Sequence, residues 1–545
     1  VDEVLPEPVT GRSLKWDDAG NLINSTIAVD EITAAEVSFT GRGSAVSRTV
    51  ESRLQDRSSV LDFIPVELHV GIRDGSNTTD LTTYLQNAFD NSAGYFPFGV
   101  YRISAGLTFS GHVICMEEGA YIAPYGSGYT ALTITTQGLS TSGWDIAIRK
   151  VEAPAFAGNG IYWNGMGYAN IGSLKVHNCD GFGVKLANMW GSHIASIYVS
   201  QCGNADNYAF SIEDGDDYSY MNVIDYIDVR VSNTKAIYIS RKSRKIVFSN
   251  IQSYHNIAVD GVQSHELSGA LCCYHNIYVE NESDSGYGLI NMNVAESQVH
   301  NLFVASNIPV TISAGINLAA CFINCQFSGP VSTYPDQLGN FNFQRCRFTD
   351  LSMATGGNGW LVQDCDITGT LSVGFITYAT ITTLSDIRAY AMRRHFSNCR
   401  IANLASSSDS AAASFYNCIL SLSSPVLYWT IFDGCNITGT VTCITSNYLE
   451  MRASVLVGNL VGGYQAQGWI SNSDITGVLV SDGSGHQPFV FDNVRGSGSI
   501  PALFSAPPNR GVWVQGQSCD RLPPAVGSPQ GWVYDGTTWL ARPNL

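Results

Sequence analysis

Acidic residues between positions 213 and 280 are the side chains best suited to acid–base chemistry in this sequence. Glycoside hydrolysis requires two carboxyl groups, about 5–5.5 Å apart for retention of configuration and about 6.5–9.5 Å apart for inversion. Four of these residues, Glu213, Asp214, Asp216 and Asp217, lie in a short acidic insertion. This insertion can supply an acid or base, bind a cation or form a solvated turn, although it lacks the spacing of a calcium loop. The candidate catalytic residues are Asp228, Glu280, Glu213, Asp214, Asp216 and Asp217.

A second set of residues in the same region suits sugar binding or β-elimination. Elimination from a uronate needs a cation that neutralises the sugar carboxylate and a base such as Tyr, His or Lys. Rings stack on the faces of sugars, and charges address their hydroxyl or carboxylate groups. A solvated sheet face with a cross-coil salt bridge would present the same residue types. The candidate substrate-binding residues are Arg230, Tyr254, Tyr198, Tyr278, His255 and His177.

Charge and motifs exclude several other functions. The net charge of −17 disfavours nucleic acid as a partner, because phosphate contacts require clustered Lys and Arg. The sequence contains no Gly-x-Ser-x-Gly elbow, P-loop or zinc motif, so we expect no metal or other cofactor. No apolar stretch approaches the length of a membrane span, so we expect no membrane insertion.

A repeated six-residue frame describes the elements that must position these side chains. The frame reads apolar-x-x-(apolar, Cys or Ser)-x-apolar, and its starts lie mostly 19 to 26 residues apart. Its copies include residues 171–176, 194–199, 224–229, 248–253, 274–279, 299–304, 322–327, 343–348, 362–367, 396–401, 415–420 and 432–437. A single coil cannot bury its apolar face, so the coils must stack. The pattern predicts an all-β fold, a right-handed parallel β-helix.

The third and fourth slots of the frame carry two recurring residue types. Asparagine recurs in the third slot, where it tolerates the left-handed conformation of a bend and can bond its neighbours along the helix. Cysteine recurs in the fourth slot, in a pattern that neither disulfide frameworks nor metal sites show. We expect these cysteines to be buried, stacked and unbridged: Cys325, Cys346, Cys365, Cys399, Cys418 and Cys435.

The frame also predicts which side chains face outward. The fourth and sixth slots point inward, so the fifth and seventh point outward. The fifth-slot column is Lys175, Tyr198, Asp228, Gln252, Tyr278 and Phe303, and the seventh-slot column is His177, Ser200, Arg230, Tyr254, Glu280 and Ala305. Coils rise by about 4.8 Å, so Asp228 and Glu280, two coils apart, are separated by about 9.6 Å of rise, which suits inversion. The longer coils of residues 171–305 carry the insertions, and we expect the site there.

The segment before the coils predicts a cap. Residues 74–89 (DGSNTTDLTTYLQNAF) begin with a Thr/Asp start and place Leu81, Leu85, Ala88 and Phe89 on one helix face. Here the chain resembles phage and bacterial pectate-lyase-like proteins, in which an Asp-Gly turn and a Leu-Gln-x-Ala helix precede the first coil. The acidic pair usual after the glycine is replaced by Asn and Thr. The resemblance covers residues 66–100, and the coils extend it to residue 505.

Both ends of the chain resemble phage tailspikes. Residues 11–22 (GRSLKWDDAGNL) look like the connector after a tail-attachment region, and residues 47–63 are similar to the short helix before many tailspike β-helices. Residues 527–545 resemble natural tail-protein C-termini, so we expect the true C-terminus to be present. The predicted divisions are an N-terminal connector (1–65), a capping segment (66–100), the β-helix (101–505) and a C-terminal segment (506–545).

The resemblance implies a parallel homotrimer in the virion tail, joined to the phage tail or an adaptor through the N-terminus. It also implies carbohydrate substrates. The expected function is binding and depolymerisation of a bacterial surface polysaccharide, capsule or O-antigen, and inverting hydrolysis is preferred slightly over lyase chemistry. A non-enzymatic receptor-binding spike is the further alternative, because fold alone does not determine chemistry.

Overall fold

The computed structural model describes most of the repeated region and parts of both ends. The described residues are 12–16, 22–28, 38–39, 48–49, 58–111, 113–135, 141–149, 156–213, 219–232, 235–240, 242–256, 263–281, 289–305, 308–313, 319–333, 340–352, 361–372, 375–377, 380–384, 394–404, 413–422, 426–427, 430–443, 448–462, 467–476, 479–481, 489–492, 494–496, 502–504, 518–521 and 529–543.

The described core is a parallel β-helix, which confirms the predicted all-β fold. A sheet of 41 strands is built by pairing each strand with its counterpart one coil later. The strands that carry the frame between residues 115 and 304 are Cys115–Met116, Tyr121–Pro124, Thr141–Arg149, Ala169–His177, His193–Ser200, Val223–Ile224, Ile227–Ser232, Val247–Asn256, Cys273–Asn281 and Gln298–Val304. They pair in parallel from coil to coil, and the frames align slot by slot.

In the later coils the frame divides at its third slot into two strands. The strands before the bend are Ala319–Ile323, Asn340–Gln344, Leu361–Gln363, Phe375–Thr377, Arg394–Ser397, Ala413–Tyr416, Thr430–Asp433, Tyr448–Arg452, Gln467–Ser471 and Phe489–Asp492. Those after it are Gln326–Thr333, Arg347–Ser352, Asp366–Ser372, Thr380–Leu384, Arg400–Leu404, Ile419–Leu422, Asn436–Gly439, Val455–Val457, Asp474–Ile475 and Arg495–Gly496.

A further column of strands closes each coil. Its upstream members are Leu107–Phe109, Ser127–Ile134, Ala157–Asn164, Val184–Ala187, Phe210–Glu213, Ile237–Ile239, Gln263–Ala270, Leu289–Ala295 and Val310–Ser313. Downstream, Val426–Leu427, Val441–Cys443, Leu460–Gly462, Leu479–Ser481 and Ala502–Phe504 form a second sheet, which continues through Ser518–Arg521 into Gly531–Tyr534 and Trp539–Ala541. The last two pairings are antiparallel, so the regular coil ends there.

Asparagine holds the bend as predicted. Asn250, Asn276, Asn301 and Asn324 all have φ between 52° and 54°, the left-handed region. The side-chain amide of each donates to the side-chain carbonyl of the one before it, at 3.0 Å for Asn276 to Asn250, 2.9 Å for Asn301 to Asn276 and 3.3 Å for Asn324 to Asn301. Asn417 and Asn472 also have positive φ, whereas Asn493 lies outside the described residues.

The fourth-slot cysteines are buried and unbridged, as predicted, with 1–3% of their surface exposed. They also form hydrogen bonds that the sequence did not indicate. The backbone N–H of Cys346 donates to Cys365 Sγ at 3.4 Å, and serine takes over the slot where Cys435 N–H donates to Ser454 Oγ at 3.0 Å. Hydrogen bonding with Cys346, together with burial, raises the pKa of the Cys365 thiol. The slot therefore selects a small side chain that accepts a hydrogen bond from the preceding coil.

Two helices form the N-terminal cap, His69–Asp74 and Thr82–Asp90. The predicted apolar face is confirmed, because Leu81, Leu85, Ala88 and Phe89 are at most 2% exposed. The Gln86 side-chain amide donates to the backbone carbonyl of Thr108 and accepts from its N–H, both at 2.9 Å. Gln86 thus supplies partners for the open edge of the first coil, which would otherwise be unpaired.

The central part of the predicted helix of residues 47–63, residues 50–57, lies outside the described residues, and its two flanks are not α-helical. Arg48–Thr49 pairs antiparallel with Ser38–Phe39, and a 3-10 helix occupies Val60–Phe63. The β-branched Thr49 suits the extended backbone. Arg12–Trp16 and Leu22–Ala28 form another antiparallel pair. Within the described part of the chain, no helix is long and apolar enough to span a membrane.

Replacing Asn276 by Ala should lower the free energy of unfolding by about 1–2 kcal/mol, because Ala loses the ladder hydrogen bonds and tolerates φ near 53° poorly. Asn276→Gly should cost less, since glycine adopts this φ freely. Denaturant unfolding of the two variants measures the difference. A larger loss for Asn276→Gly would show that backbone conformation does not select the residue.

Candidate functional site

Strand pairing aligns the two outward columns as the frame predicts. In the fifth slot, Lys175, Tyr198, Asp228, Gln252, Tyr278 and Phe303 pair in succession. In the seventh slot, His177, Ser200, Arg230, Tyr254 and Glu280 pair in succession. The two columns are therefore adjacent on one sheet, at about 4.8 Å per coil. We call this surface the two-column face.

An ion pair joins the two columns at their centre. Asp228 Oδ1 accepts from Arg230 Nε at 3.0 Å, and Asp228 Oδ2 accepts from Arg230 Nη2 at 2.9 Å. The Asp228 side chain is only 7% exposed, whereas that of Arg230 is 60% exposed. The pairing is bidentate, which fixes the plane of the guanidinium group as well as its position. Both carboxylate oxygens of Asp228 thus face Arg230.

Aromatic rings lie beside this ion pair. The rings of Tyr198 and Tyr226 are 5.4 Å apart, and Lys175 Nζ lies 5.8 Å from the centre of the Tyr198 ring. The Tyr226 hydroxyl donates to Gln252 Oε1 at 3.1 Å. Tyr226 escaped the sequence prediction because it occupies the third slot, where most later frames have Asn. A tyrosine at a bend position next to an aromatic column was the available signal.

Stacked rings continue the face into the next coils. Tyr278 and Phe303 stack with ring centres 5.3 Å apart and an interplanar angle of 8°. Tyr254 and Glu280 are placed by their backbone pairing, in the column of Arg230. His255 pairs with Val231 and Asn281, one residue beyond that column. The structure thus brings most of the predicted binding residues onto one sheet.

The acidic insertion begins on a different column of strands. Glu213 ends the strand Phe210–Glu213, which pairs with Val184–Ala187 rather than with a frame strand. Its carboxylate forms an ion pair with Lys185 at 2.5 Å and accepts a hydrogen bond from the Ser211 hydroxyl at 3.2 Å. Asp214, Asp216 and Asp217 lie outside the described residues.

Two side-chain pairs that contain histidine lie on the part of the frame strands before the bend. His193 Nε2 lies 2.6 Å from Asp225 Oδ2, and the rings of His275 and His300 stack with centres 4.9 Å apart. Burial, and then the neighbouring His275, lowers the pKa of His300. The sequence prediction missed both pairs because it aligned outward-facing residues only at the fifth and seventh slots. Aligning the second slot would have placed Asp225, His275 and His300 in one column.

Exposed rings also line the corner that precedes the frame strands. Tyr168 is 64% exposed and Trp190 is 49% exposed, and Trp190 pairs with Tyr220 one coil later. Lys245 Nζ donates to the Tyr220 hydroxyl at 2.7 Å. Among the described residues, no group of three or more His, Cys, Asp and Glu is arranged to hold a metal ion.

Comparison with solved structures finds other β-helical proteins at low identity. Tailspike protein 3 of bacteriophage CBA120 matches with 11% identity and a TM-score of 0.27, over 96% of this chain and 78% of that one. The Streptococcus pneumoniae surface adhesin PfbA matches with 12% identity and a TM-score of 0.28, over 81% and 98%. A mutant tailspike of E. coli bacteriophage HK620 in complex with a pentasaccharide matches with 13% identity and a TM-score of 0.26, over 85% and 83%.

Similarity at this level carries no argument about activity. No protein-family model and no curated protein sequence matches the chain. The two-column face is therefore the feature of this chain that bears on its function.

Replacing Glu213 by Gln should leave any polysaccharide cleavage within about twofold of wild type, because Glu213 lies on another strand column and pairs with Lys185. The lost ion pair is partly exposed, so stability should fall by at most about 1 kcal/mol. Initial rates and denaturant unfolding measure both quantities. A rate loss of about a hundredfold or more would instead place Glu213 among the catalytic groups.

Proposed function

We propose that this chain is a tailspike-type protein that binds and depolymerises a bacterial surface polysaccharide. The observation that carries the proposal is the two-column face, where rings, a cation and carboxylates recur in register on successive coils. A linear polysaccharide presents repeated ring faces and polar edges along its length. A rigid sheet that repeats aromatic and charged side chains at about 4.8 Å intervals matches such a ligand.

Inverting hydrolysis is one reaction that the carboxylates of this face could catalyse. Asp228 and Glu280 are separated by two coils, about 9.6 Å of rise, and by two residues along the strand, about 6.6 Å, so their backbones lie about 11–12 Å apart. Their carboxyl groups would have to lean towards each other to reach the separation of about 6.5–9.5 Å of an inverting pair. One carboxyl group would protonate the leaving oxygen, and the other would activate water. Asp228 would have to release Arg230 to act in this way, since both of its oxygens accept from that side chain.

The same ion pair favours β-elimination as a second chemistry. Arg230 is exposed and oriented, so it can neutralise the carboxylate of a uronate and make the neighbouring C–H more acidic. Tyr254 follows Arg230 one coil later in the same column and is a candidate base. Elimination leaves an unsaturated sugar that absorbs ultraviolet light, whereas hydrolysis leaves none.

Incubation with purified capsular and O-antigen polysaccharides should shorten one of them, measured by size-exclusion chromatography. The ultraviolet absorbance of an unsaturated sugar, formed only by elimination, distinguishes the two reactions. Glu280→Gln should reduce the rate by about 10²–10⁴-fold if Glu280 is an acid or base. The matched control is Glu450→Gln, in a downstream coil, which should cleave normally. Binding without cleavage would identify a receptor-binding spike, and neither binding nor cleavage would refute the proposal.

The proposal extends to assembly, because the ends of the chain resemble tailspikes. We propose a parallel homotrimer in the virion tail, attached through its N-terminus to the phage tail or an adaptor. Light scattering coupled to size exclusion should give about three times the chain mass of 58.8 kDa. A chain with residues 1–65 removed is the informative comparison, and a monomeric mass for the intact chain would contradict the trimer.

A further inference from the structure

We propose that the corner before the frame strands is a second polysaccharide-binding site, separate from the two-column face. We call it the aromatic corner and define it by Tyr168, Trp190 and Tyr220, one residue from each of three successive coils. The inference rests on the proposed function, because it takes the polysaccharide as the ligand. It adds the groups that this site recognises, which are the apolar C–H face and the hydroxyl groups of the sugar residues.

The seating of Tyr168 is the first argument. The residue is 64% exposed, and one side of its ring lies against Gly191 of the next coil. A Cβ atom at position 191 would come within 2.9 Å of Tyr168 Cδ1 and Cε1. Backbone conformation alone does not require glycine there, because Tyr168, Met221 and Lys245 take equivalent positions with φ of 52–55°. Gly191 therefore makes room for the ring, which is held as an open platform.

Contacts between coils fix the other two rings in part. Trp190, which is 49% exposed, donates its backbone N–H to the Met166 carbonyl at 2.7 Å and accepts from the Tyr168 N–H at 2.8 Å. The Tyr220 hydroxyl accepts from Lys245 Nζ at 2.7 Å. These contacts are made without a ligand, so less conformational entropy is lost when a sugar stacks on the rings.

A row of polar side chains runs beside the rings on the same three coils. His193 Nδ1 lies 3.2 Å from Asn170 Oδ1, and His193 Nε2 lies 2.6 Å from Asp225 Oδ2. The side chains of His193 and Asp225 are 43% and 49% exposed, so both are accessible to a ligand. Each coil thus presents one ring and one polar side chain. This arrangement matches a sugar, which has a flat apolar face and hydroxyl groups at its edge.

A second copy of the chain is the other occupant that an exposed aromatic strip could take. The three coils span only about 10 Å along the axis. A whole aromatic side chain buries about 150–250 Å², so three partly exposed rings offer much less than the roughly 800 Å² that each partner buries in a standard interface. The size of the aromatic corner therefore favours a polysaccharide strand.

Trp469 is an exposed ring outside any such strip. It is 45% exposed, close to the value for Trp190. Its partners in register are Glu450 and Val490, neither of which is aromatic. Trp469 therefore supplies the matched control for Trp190.

The first experiment measures binding of the polysaccharide that the unmodified protein recognises in a panel of capsular and O-antigen polymers. Trp190→Ala and Tyr168→Ala should each weaken binding of the immobilised polymer by about 3- to 10-fold, and Trp190→Phe should lose less because it keeps a ring. Gly191→Ala keeps all three rings but displaces Tyr168, so it should also weaken binding. Trp469→Ala should bind normally. Unchanged binding by Trp190→Ala and Tyr168→Ala would overturn the inference and leave the proposed function intact.

The second experiment separates the aromatic corner from the two-column face and from assembly. A second site adds affinity only when one ligand reaches both sites, so the loss caused by Trp190→Ala should be larger for the intact polymer than for a single repeat unit. An equal loss on both ligands would make the corner part of the same site. A lower mass of Trp190→Ala in light scattering would make it a contact between chains, and either result would overturn the inference. If the unmodified protein neither binds nor cleaves any polymer of the panel, the proposed function fails, and the inference fails with it.

Discussion

Coil-to-coil pairing of equivalent frame positions is the constraint on which the rest of this structure depends. Each coil is too thin to bury its own apolar residues, so every inward side chain is covered by its counterparts above and below. Ile197, for example, pairs with Ile227, which pairs with Ile251, and all three are fully buried. The same register that stacks these residues inside the helix also stacks Tyr198, Asp228 and Gln252 outside it. Stability and surface chemistry are thus set by one alignment.

Polar groups within the stack add specificity to this alignment. A slip of one residue would place the fourth-slot thiols and hydroxyls away from the N–H groups that they accept from, such as the Ser454 N–H that donates to Ser473 Oγ at 3.2 Å. It would also break the asparagine ladder at the bend. Apolar stacking alone discriminates poorly between neighbouring registers of similar residues. The directional bonds at two slots per coil provide the discrimination.

The sequence predicted columns well and side-chain partners poorly, for a physical reason. Slot spacing determines which strand position each residue takes, so the order Ser200, Arg230, Tyr254, Glu280 followed from counting alone. It does not determine rotamers, and the burial of Asp228 against Arg230 depends on the rotamers of both and on the neighbouring rings. Tyr226 was missed because its slot, the third, had been assigned to the bend. The His193–Asp225 pair was missed because the positions of these two residues had not been aligned between coils. The fourth-slot cysteines were predicted to be buried, stacked and unbridged, but their hydrogen bonds could be found only from the strand geometry.

The repeated frame also makes one coil the natural unit of length. Inserting or deleting a whole coil shifts all later residues by about 4.8 Å along the axis and leaves every inward and outward column in phase. A partial coil would instead carry distal residues to a different side of the molecule. Insertions within one coil only lengthen its loops, as in the coils of residues 171–305, whereas the frame strands themselves can be added or removed only as part of whole coils. Adding or removing whole coils on one side of the two-column face would therefore change its distance from the end of the β-helix without altering the face itself.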